Sequence, residues 1–274
     1  MTVPTTKLND GREIPQLGFG VFQVDPDTTA DKVQAALDVG YRHIDTAQMY
    51  GNEEGVGKAL ASSGIPRDQL WITTKLDNDG HGRGTAAERL DQSLTRLGLD
   101  HVDLYLIHWP RPAEDRYVET WQGFEDARDA GKARSIGVSN FQVPHLERLA
   151  KETSTVPAVN QVEFHPQLVQ RELREYHQQH DIATEAWSPI GQGKGLLEAP
   201  ELAELAGRTG KSPAQVVLRW HIQLGNIVFP KSNNPDRMKE NFEILDFTLS
   251  DDDLAKIEQL HTGERIGPDP DTFG

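Results

Sequence analysis

The 274-residue chain contains no cysteine. Disulfide staples, thiolate catalysis and cysteine-based zinc sites are therefore excluded. It also lacks a surplus of positive charge: 28 Lys and Arg stand against 43 Asp and Glu, for a formal net charge of −15. Polyphosphate backbones and anionic lipid surfaces attract basic proteins, so neither nucleic acid nor a membrane surface is an expected partner. No apolar run approaches the about 18 residues of a membrane span, and residues 1–15 have no apolar signal-peptide core. A soluble, cytoplasmic protein is expected. The glycine-rich dinucleotide fingerprint is missing too. Gly18-Phe19-Gly20 leads to Gln23 where a third glycine would be needed, which argues against a Rossmann fold. Gly210-Lys211-Ser212 ends like a P-loop, but Leu205 occupies the required glycine position. Gly137-Val138-Ser139-Asn140-Phe141 lacks the last glycine of a nucleophile elbow. His177 and His180 form an H-x-x-H in a Gln-rich helix end, expected to be solvated, and no group has zinc-ligand spacing.

What the chain does contain is alternation. Thr6, Lys7 and Leu8 and then Glu13, Ile14 and Pro15 flank Asn9-Asp10-Gly11, a hairpin signal. Apolar runs follow at 41–45, 70–75, 102–108, 134–139, 158–162, 182–187 and 226–230, with a weaker one at 17–20. They are nearly continuous rather than alternating, as strands buried on both faces are. Amphipathic helical windows separate them. Leu90, Leu94 and Leu97 share one face, as do Val33, Ala36 and Leu37. Ser212-Pro213 reads as a helix N-cap with proline at N1, opening a helix that carries Val216, Val217 and Trp220, and Gly40 and Gly131 stand where helix C-caps belong. Repeated strand–helix units predict an α/β fold with a parallel sheet, either a closed eight-stranded barrel or an open doubly wound sheet. No linker composition interrupts the chain, so one domain over 1–274 is expected, with 262–274, containing Gly267-Pro268-Asp269-Pro270, as a loose surface tail.

In a barrel the active face lies at the C-terminal strand ends. Those positions hold Asp45, Lys75, His108, Ser139-Asn140, Gln161, Trp187 and Lys231. The intervals 45 to 75, 75 to 108 and 108 to 140 each match one strand–helix unit. Tyr50 follows Asp45 in a loop able to return to the same mouth. Singly, each residue has an ordinary explanation: a capping Asp, a rim Tyr, a solvated Lys, a core His. Their alignment is what points to chemistry. A free phenol titrates near 10, too high for an efficient acid at neutral pH, and an adjacent ammonium lowers it. A buried ammonium needs a carboxylate in turn. Asp45, Lys75 and Tyr50 meet both needs, and a neutral His108 could orient a substrate carbonyl. Phe22, Trp109 and Phe19 are candidates for an apolar wall.

These residues also carry a resemblance. Gly40-Tyr41-Arg42-His43-Ile44-Asp45-Thr46-Ala47 with Tyr50-Gly51-Asn52-Glu53 resembles the first signature of the aldo-keto reductases. Leu104-Tyr105-Leu106-Ile107-His108-Trp109-Pro110 and Gly137-Val138-Ser139-Asn140-Phe141 resemble two more. Phe229-Pro230-Lys231-Ser232 with Arg237 and Glu240-Asn241 is similar to the family's cofactor-phosphate motif. Ala186-Trp187-Ser188-Pro189 and Gly191-Gln192-Gly193-Lys194 resemble its bacterial 2,5-diketo-D-gluconate reductase branch. The resemblance implies an (α/β)8 TIM barrel and NADPH as cofactor, bound without a Rossmann domain. It implies Tyr50 as general acid with Asp45, Lys75 and His108. Ser139, Asn140 and Gln161 would hold the nicotinamide carboxamide, and Trp187 would stack on the ring. Ser188, Ile190, Gly191 and Gln192 would line the cofactor path. Lys231, Ser232 and Arg237 would meet the 2′-phosphate, Glu240 and Asn241 the adenine end, and Asn233 would be a further cofactor contact. The partner would be a small carbonyl substrate and the enzyme a monomer, with no metal.

Two departures stand out. Loop 77–84 is short and glycine-rich, with Asp77 where the related reductases carry a bulky aromatic, and Asn233-Asn234 replaces their commoner sequence. Two other functions remain beside NADPH-dependent reduction of aldehydes, ketones or α-dicarbonyls: a Schiff-base aldolase using Lys75, and an NADPH-binding protein without useful turnover.

Overall fold

The computed structural model describes residues 2–193 and 195–273; Lys194, part of one resemblance motif, lies outside them. A two-stranded antiparallel hairpin, β1 (Thr5–Lys7) and β2 (Glu13–Pro15), opens the chain. Eight parallel strands follow: β3 (Phe19–Gly20), β4 (His43–Asp45), β5 (Trp71–Leu76), β6 (Val102–Ile107), β7 (Ala133–Ser139), β8 (Val159–Glu163), β9 (Ala183–Trp187) and β10 (Ile227–Val228). Each pairs with its neighbours in sequence. The sheet closes on itself through a parallel bridge between Leu17 and Val228. Gly18 N–H donates to Val228 O at 2.9 Å and Val228 N–H to Gln16 O at 2.8 Å. The closed (α/β)8 barrel is thus the arrangement adopted, and the open sheet is not.

The seam shows what Gly18 does. A Cβ there would lie 2.8 Å from the Phe229 ring and 3.1 Å from His43 O, so a side chain would wedge the first and last strands apart. The glycines of Gly18-Phe19-Gly20 serve barrel closure. The hairpin plugs the opposite end from the strand C-termini: Leu8 and Ile14 are buried with Trp71, Leu104, Leu106, Val159 and Phe229. Asn9 Nδ2 donates to Pro157 O at 3.0 Å and Ser135 Oγ to Asp10 at 2.6 Å. Outside, the helices lay apolar stripes on the strands. Val33, Ala36 and Leu37 are buried in the helix Pro26–Val39, which Gly40 ends at φ 124°. Ser212 and Gln215 form a reciprocal capping box on the helix Pro213–Gln223.

Three expectations are corrected. His177 is buried, not solvated: Asn160 Nδ2 donates to its Nε2 at 2.9 Å and its Nδ1 meets Thr184 Oγ1 at 2.9 Å, while His180 is exposed. Phe19 is fully buried against Tyr41 and walls nothing. The tail from Thr262 is held rather than loose. The Glu163 carboxylate accepts from Ile266 N–H at 2.6 Å and Gly267 N–H at 2.9 Å, and Phe273 lies 4.5 Å from the Trp109 ring. A turn-rich composition reads as loose because it cannot reveal a carboxylate, waiting at the end of β8, that satisfies its amides.

Candidate active site

Strand β4 ends at Asp45, and the one-turn helix Gln48–Tyr50 swings Tyr50 back over the barrel. Gln48 anchors that turn by donating to Arg89 O at 2.7 Å and Ser93 Oγ at 2.8 Å. Asn52 ties the same loop to Val21 O at 2.9 Å. Lys75, near the end of β5, is fully buried and spends each of its three protons: on Asp45 Oδ1 at 2.7 Å, Thr46 O at 2.9 Å and Tyr50 OH at 3.3 Å. Burial works to lower the ammonium's pKa, but Asp45 and Tyr50 outweigh it and the net direction is upward. Lys75 is therefore a locked cation.

The Tyr50 phenol departs from the simple expectation. Burial raises it, Lys75 lowers it and Asp45 raises it again, and the balance is upward. The phenol is thus a held proton, with a cation beside it ready to receive the negative charge when that proton leaves. His108, just past β6, stands edge-on to Tyr50 with ring centroids 5.8 Å apart. Burial first, and then Lys75, holds its imidazole well below the ordinary value of 6.5, so it is neutral. Its Nδ1 is buried without a hydrogen-bond partner among the described residues.

A connected shelf lies beside this group. Asn140, in the left-handed region at φ 63°, donates to His108 O at 2.9 Å and Ser139 Oγ at 3.1 Å. Its Oδ1 accepts from Trp187 Nε1 at 2.8 Å, which fixes the indole at the end of β9. Ser139 Oγ donates to Gln161 O at 2.8 Å. Gln161 Nε2 donates to Asp45 Oδ2 at 2.9 Å and Glu185 Oε2 at 2.9 Å. Eight of the expected residues, Asp45, Tyr50, Lys75, His108, Ser139, Asn140, Gln161 and Trp187, thus form one hydrogen-bonded or ring-contacting network. Glu185 was missed. A lone acid inside the apolar run at 182–187, two places before Trp187 and so on the same strand face, was the available signal.

The other expected cofactor residues lie after β9 and β10. Gly191 N–H donates to Ser188 O at 2.9 Å, folding Ser188, Ile190, Gly191 and Gln192 into a tight turn. Asn234 caps the helix Pro235–Phe242 by accepting from Asp236 N–H and Arg237 N–H. Ser232 Oγ accepts from Asn234 N–H at 3.1 Å. Lys231, Asn233 and Arg237 are exposed, and neither cation has an ion-pair partner among the described residues. Glu240 accepts a hydrogen bond from Ser212 Oγ, and Asn241 is buried. Around the mouth, Phe22 is half exposed with its ring 5.1 Å from Tyr50, and Trp109 is capped by Phe273. Phe273 comes from the segment expected to be loose.

The aldo/keto reductase family profile matches residues 16–262. The chain is 50% identical over 276 residues to a methylglyoxal reductase, DkgA, of Escherichia coli K12, covering 100% of both chains. A crystal structure of an aldo/keto reductase from Brucella melitensis superimposes with a TM-score of 0.92 at 56% identity, covering 95% of this chain and 98% of that one. A mutant of Gox0644 in complex with NADPH superimposes with a TM-score of 0.96 at 44% identity, over 100% of both chains. Profile, sequence and structure agree, and the chain belongs to the aldo/keto reductase family.

Proposed function

We propose that the protein reduces small carbonyl compounds to alcohols with NADPH, using Tyr50 as general acid. The observation that carries this reading is the proton-holding Tyr50, bonded to a buried Lys75–Asp45 pair and edge-on to the neutral ring of His108. The residues present fit the cofactor. Trp187 offers an indole held by Asn140, suited to stacking on a flat heteroaromatic ring. Lys231 and Arg237 are cations without an ion-pair partner among the described residues, beside a capped helix N-terminus in an otherwise acidic chain, a setting suited to a phosphate. Ser139, Asn140 and Gln161 would hold the carboxamide. NADPH, when bound, supplies the hydride.

The chain's own residues do the rest. His108 donates one N–H to the substrate oxygen and aims it at Tyr50. Tyr50 OH gives its proton to that oxygen as the carbonyl carbon is reduced. Lys75 stabilises the resulting phenolate, and Asp45 keeps Lys75 charged and in place. Phe22, Trp109 and Phe273 form an apolar rim that suits a short aldehyde or α-dicarbonyl. Every group named comes from one chain, which is compatible with a monomer, and the setting we propose is the cytoplasm. The aldolase alternative fares worse, because a Schiff-base lysine must lose its proton and Lys75 is held as a cation.

The decisive assay follows NADPH oxidation over a panel of aldehydes, α-dicarbonyls and keto-sugars, with NADH in parallel. Turnover of short dicarbonyls is expected. No turnover of any carbonyl would leave the two alternatives, which an adduct trapped on Lys75 by borohydride would decide in favour of the aldolase and its absence in favour of the binding protein. Lys231→Ala and Arg237→Ala should each weaken NADPH by about tenfold or more while changing NADH little, since only the 2′-phosphate is lost from their reach. Equal losses for both cofactors would overturn the phosphate assignment.

A further inference from the structure

The Gln161 side chain has one amide nitrogen and two hydrogens, and both go to carboxyl groups: Asp45 Oδ2 and Glu185 Oε2, each at 2.9 Å. Asp45 is ion-paired with Lys75 and can only accept. The NH2 end of the amide must therefore point at the acids. The opposite end, Oε1, then has no partner among the described residues and is not sealed from the mouth, whereas Glu185 Oε1 is. Asp45 alone would fix one hydrogen and leave the amide free to swing about that bond. Glu185, fully buried at the pairing position beside Gln161 in β9, supplies the second point.

We propose that Glu185 is a positioning residue that, through Gln161, presents an amide oxygen rather than an amide NH2 to the cofactor's carboxamide. The proposal rests on the reading of Gln161 as a carboxamide contact. It assigns that contact a direction: Gln161 accepts a hydrogen bond and the carboxamide NH2 donates it. Glu185 does this without placing a second negative charge beside Asp45. Burial first, and then the Asp45 charge, pushes its carboxyl up to about 8, so at neutral pH it accepts through Oε2 as a neutral acid. A charged residue there would compete with Tyr50 for the influence of Lys75.

The test uses NADP+ and its 3-acetylpyridine form, in which a methyl group replaces the carboxamide NH2. Binding is followed by quenching of tryptophan fluorescence in the intact protein. The native chain should prefer NADP+ by about tenfold or more, the loss of one hydrogen bond in a partly buried site. Glu185→Ala should shrink that preference severalfold by weakening NADP+ while leaving the analogue nearly unchanged. Glu185→Gln keeps a carbonyl acceptor for Gln161 and should retain most of the preference. Glu185→Leu, closer in volume, repeats the measurement if the alanine variant does not fold. A merely structural role would weaken both ligands alike, and that result, or an unchanged preference in the alanine or leucine variant, would overturn the proposal. A native chain with no preference at all would overturn the carboxamide assignment of Gln161 itself, a distinguishable outcome.

Discussion

Replacing Tyr50 by phenylalanine should cut turnover by about three orders of magnitude, the middle of the range for losing a general acid. The substitution removes only the hydroxyl. Lys75 keeps Asp45 and Thr46 O and loses only its longest bond, so the buried cation stays charge-paired and the unfolding temperature should fall only slightly. Trp187, Ser139, Asn140 and Gln161 do not bond the phenol, so NADPH affinity should change less than about threefold. Rapid-mixing measurement of the hydride step, with a titration of NADPH binding, separates the two effects. Normal turnover in the variant would overturn the assignment of the acid. The pH dependence follows from the upward shift of Tyr50 above its ordinary value of 10.0. The proton needed for reduction is present throughout the neutral range, so reduction should be flat there and fall only in strong alkali. Oxidation of an alcohol by the same site needs the phenolate and should instead rise with pH.

Acidification should unfold the protein cooperatively between about pH 5 and about pH 4, well above the pH at which carboxylates alone would account for it. The cause is a set of buried imidazoles. Burial pushes His43, His177 and His221 each down to about 3 and His81 to about 4, against 6.5 in the open chain. His43, His177 and His221 already have both ring nitrogens hydrogen-bonded, while both nitrogens of His81 are buried without a partner among the described residues. His43, for example, lies between Pro15 O at 3.2 Å and Thr73 Oγ1 at 3.0 Å, and His221 between Pro189 O and Asn226 Nδ2. A folded-state pKa below the unfolded one means that stability is complete above about pH 6.5 and is lost as pH falls toward the folded values. Each group removes up to about 1.4 kcal/mol per pH unit in that window. Glu185 acts in the opposite sense: with a folded value of about 8 it retains a proton that the unfolded chain has lost above 4.5. One such group offsets only one of the imidazoles, so unfolding near pH 5 should still take up two or more protons. Circular dichroism against pH, with denaturant titrations at several pH values, measures both the midpoint and the slope. A chain that remains fully folded at pH 3.5 would contradict the account. His221→Asn should flatten the slope by about one proton whatever its effect at pH 7.

The two outcomes draw on different kinds of legibility. The placement of the candidate residues was legible because one strand–helix unit occupies a nearly constant length. Polar residues one unit apart must emerge on one rim, and this brings Asp45, Lys75 and His108 together across 63 positions of chain. Tyr50 was legible as well, since five residues suffice for a turn back to the strand end. The histidines were not. His177 stands in a polar, Gln-rich run, and only the approach of Asn160 from β8 and Thr184 from β9 makes it a core residue. The tail was misjudged for the same reason: composition reports what a segment prefers, while Glu163 and Trp109, more than a hundred residues away, decide where it lies.

By itself the sequence determined the repeating strand–helix order, the rim positions of Asp45, Lys75 and His108 and, through the lack of cysteine, the exclusion of thiol chemistry. These depend on local periodicity and residue type, which need no knowledge of distant contacts. Local pattern left closure of the sheet open and the family resemblance implied it; the tertiary structure supplies the physical reason, Gly18 admitting Phe229 at the seam. It alone decided the balance of burial and charge that keeps Tyr50 protonated and Lys75 locked. It alone brought Glu185 to Gln161 and Phe273 to the mouth. Burial and hydrogen-bond pairing between residues far apart in the chain are properties of the packed barrel, and no local pattern encodes them.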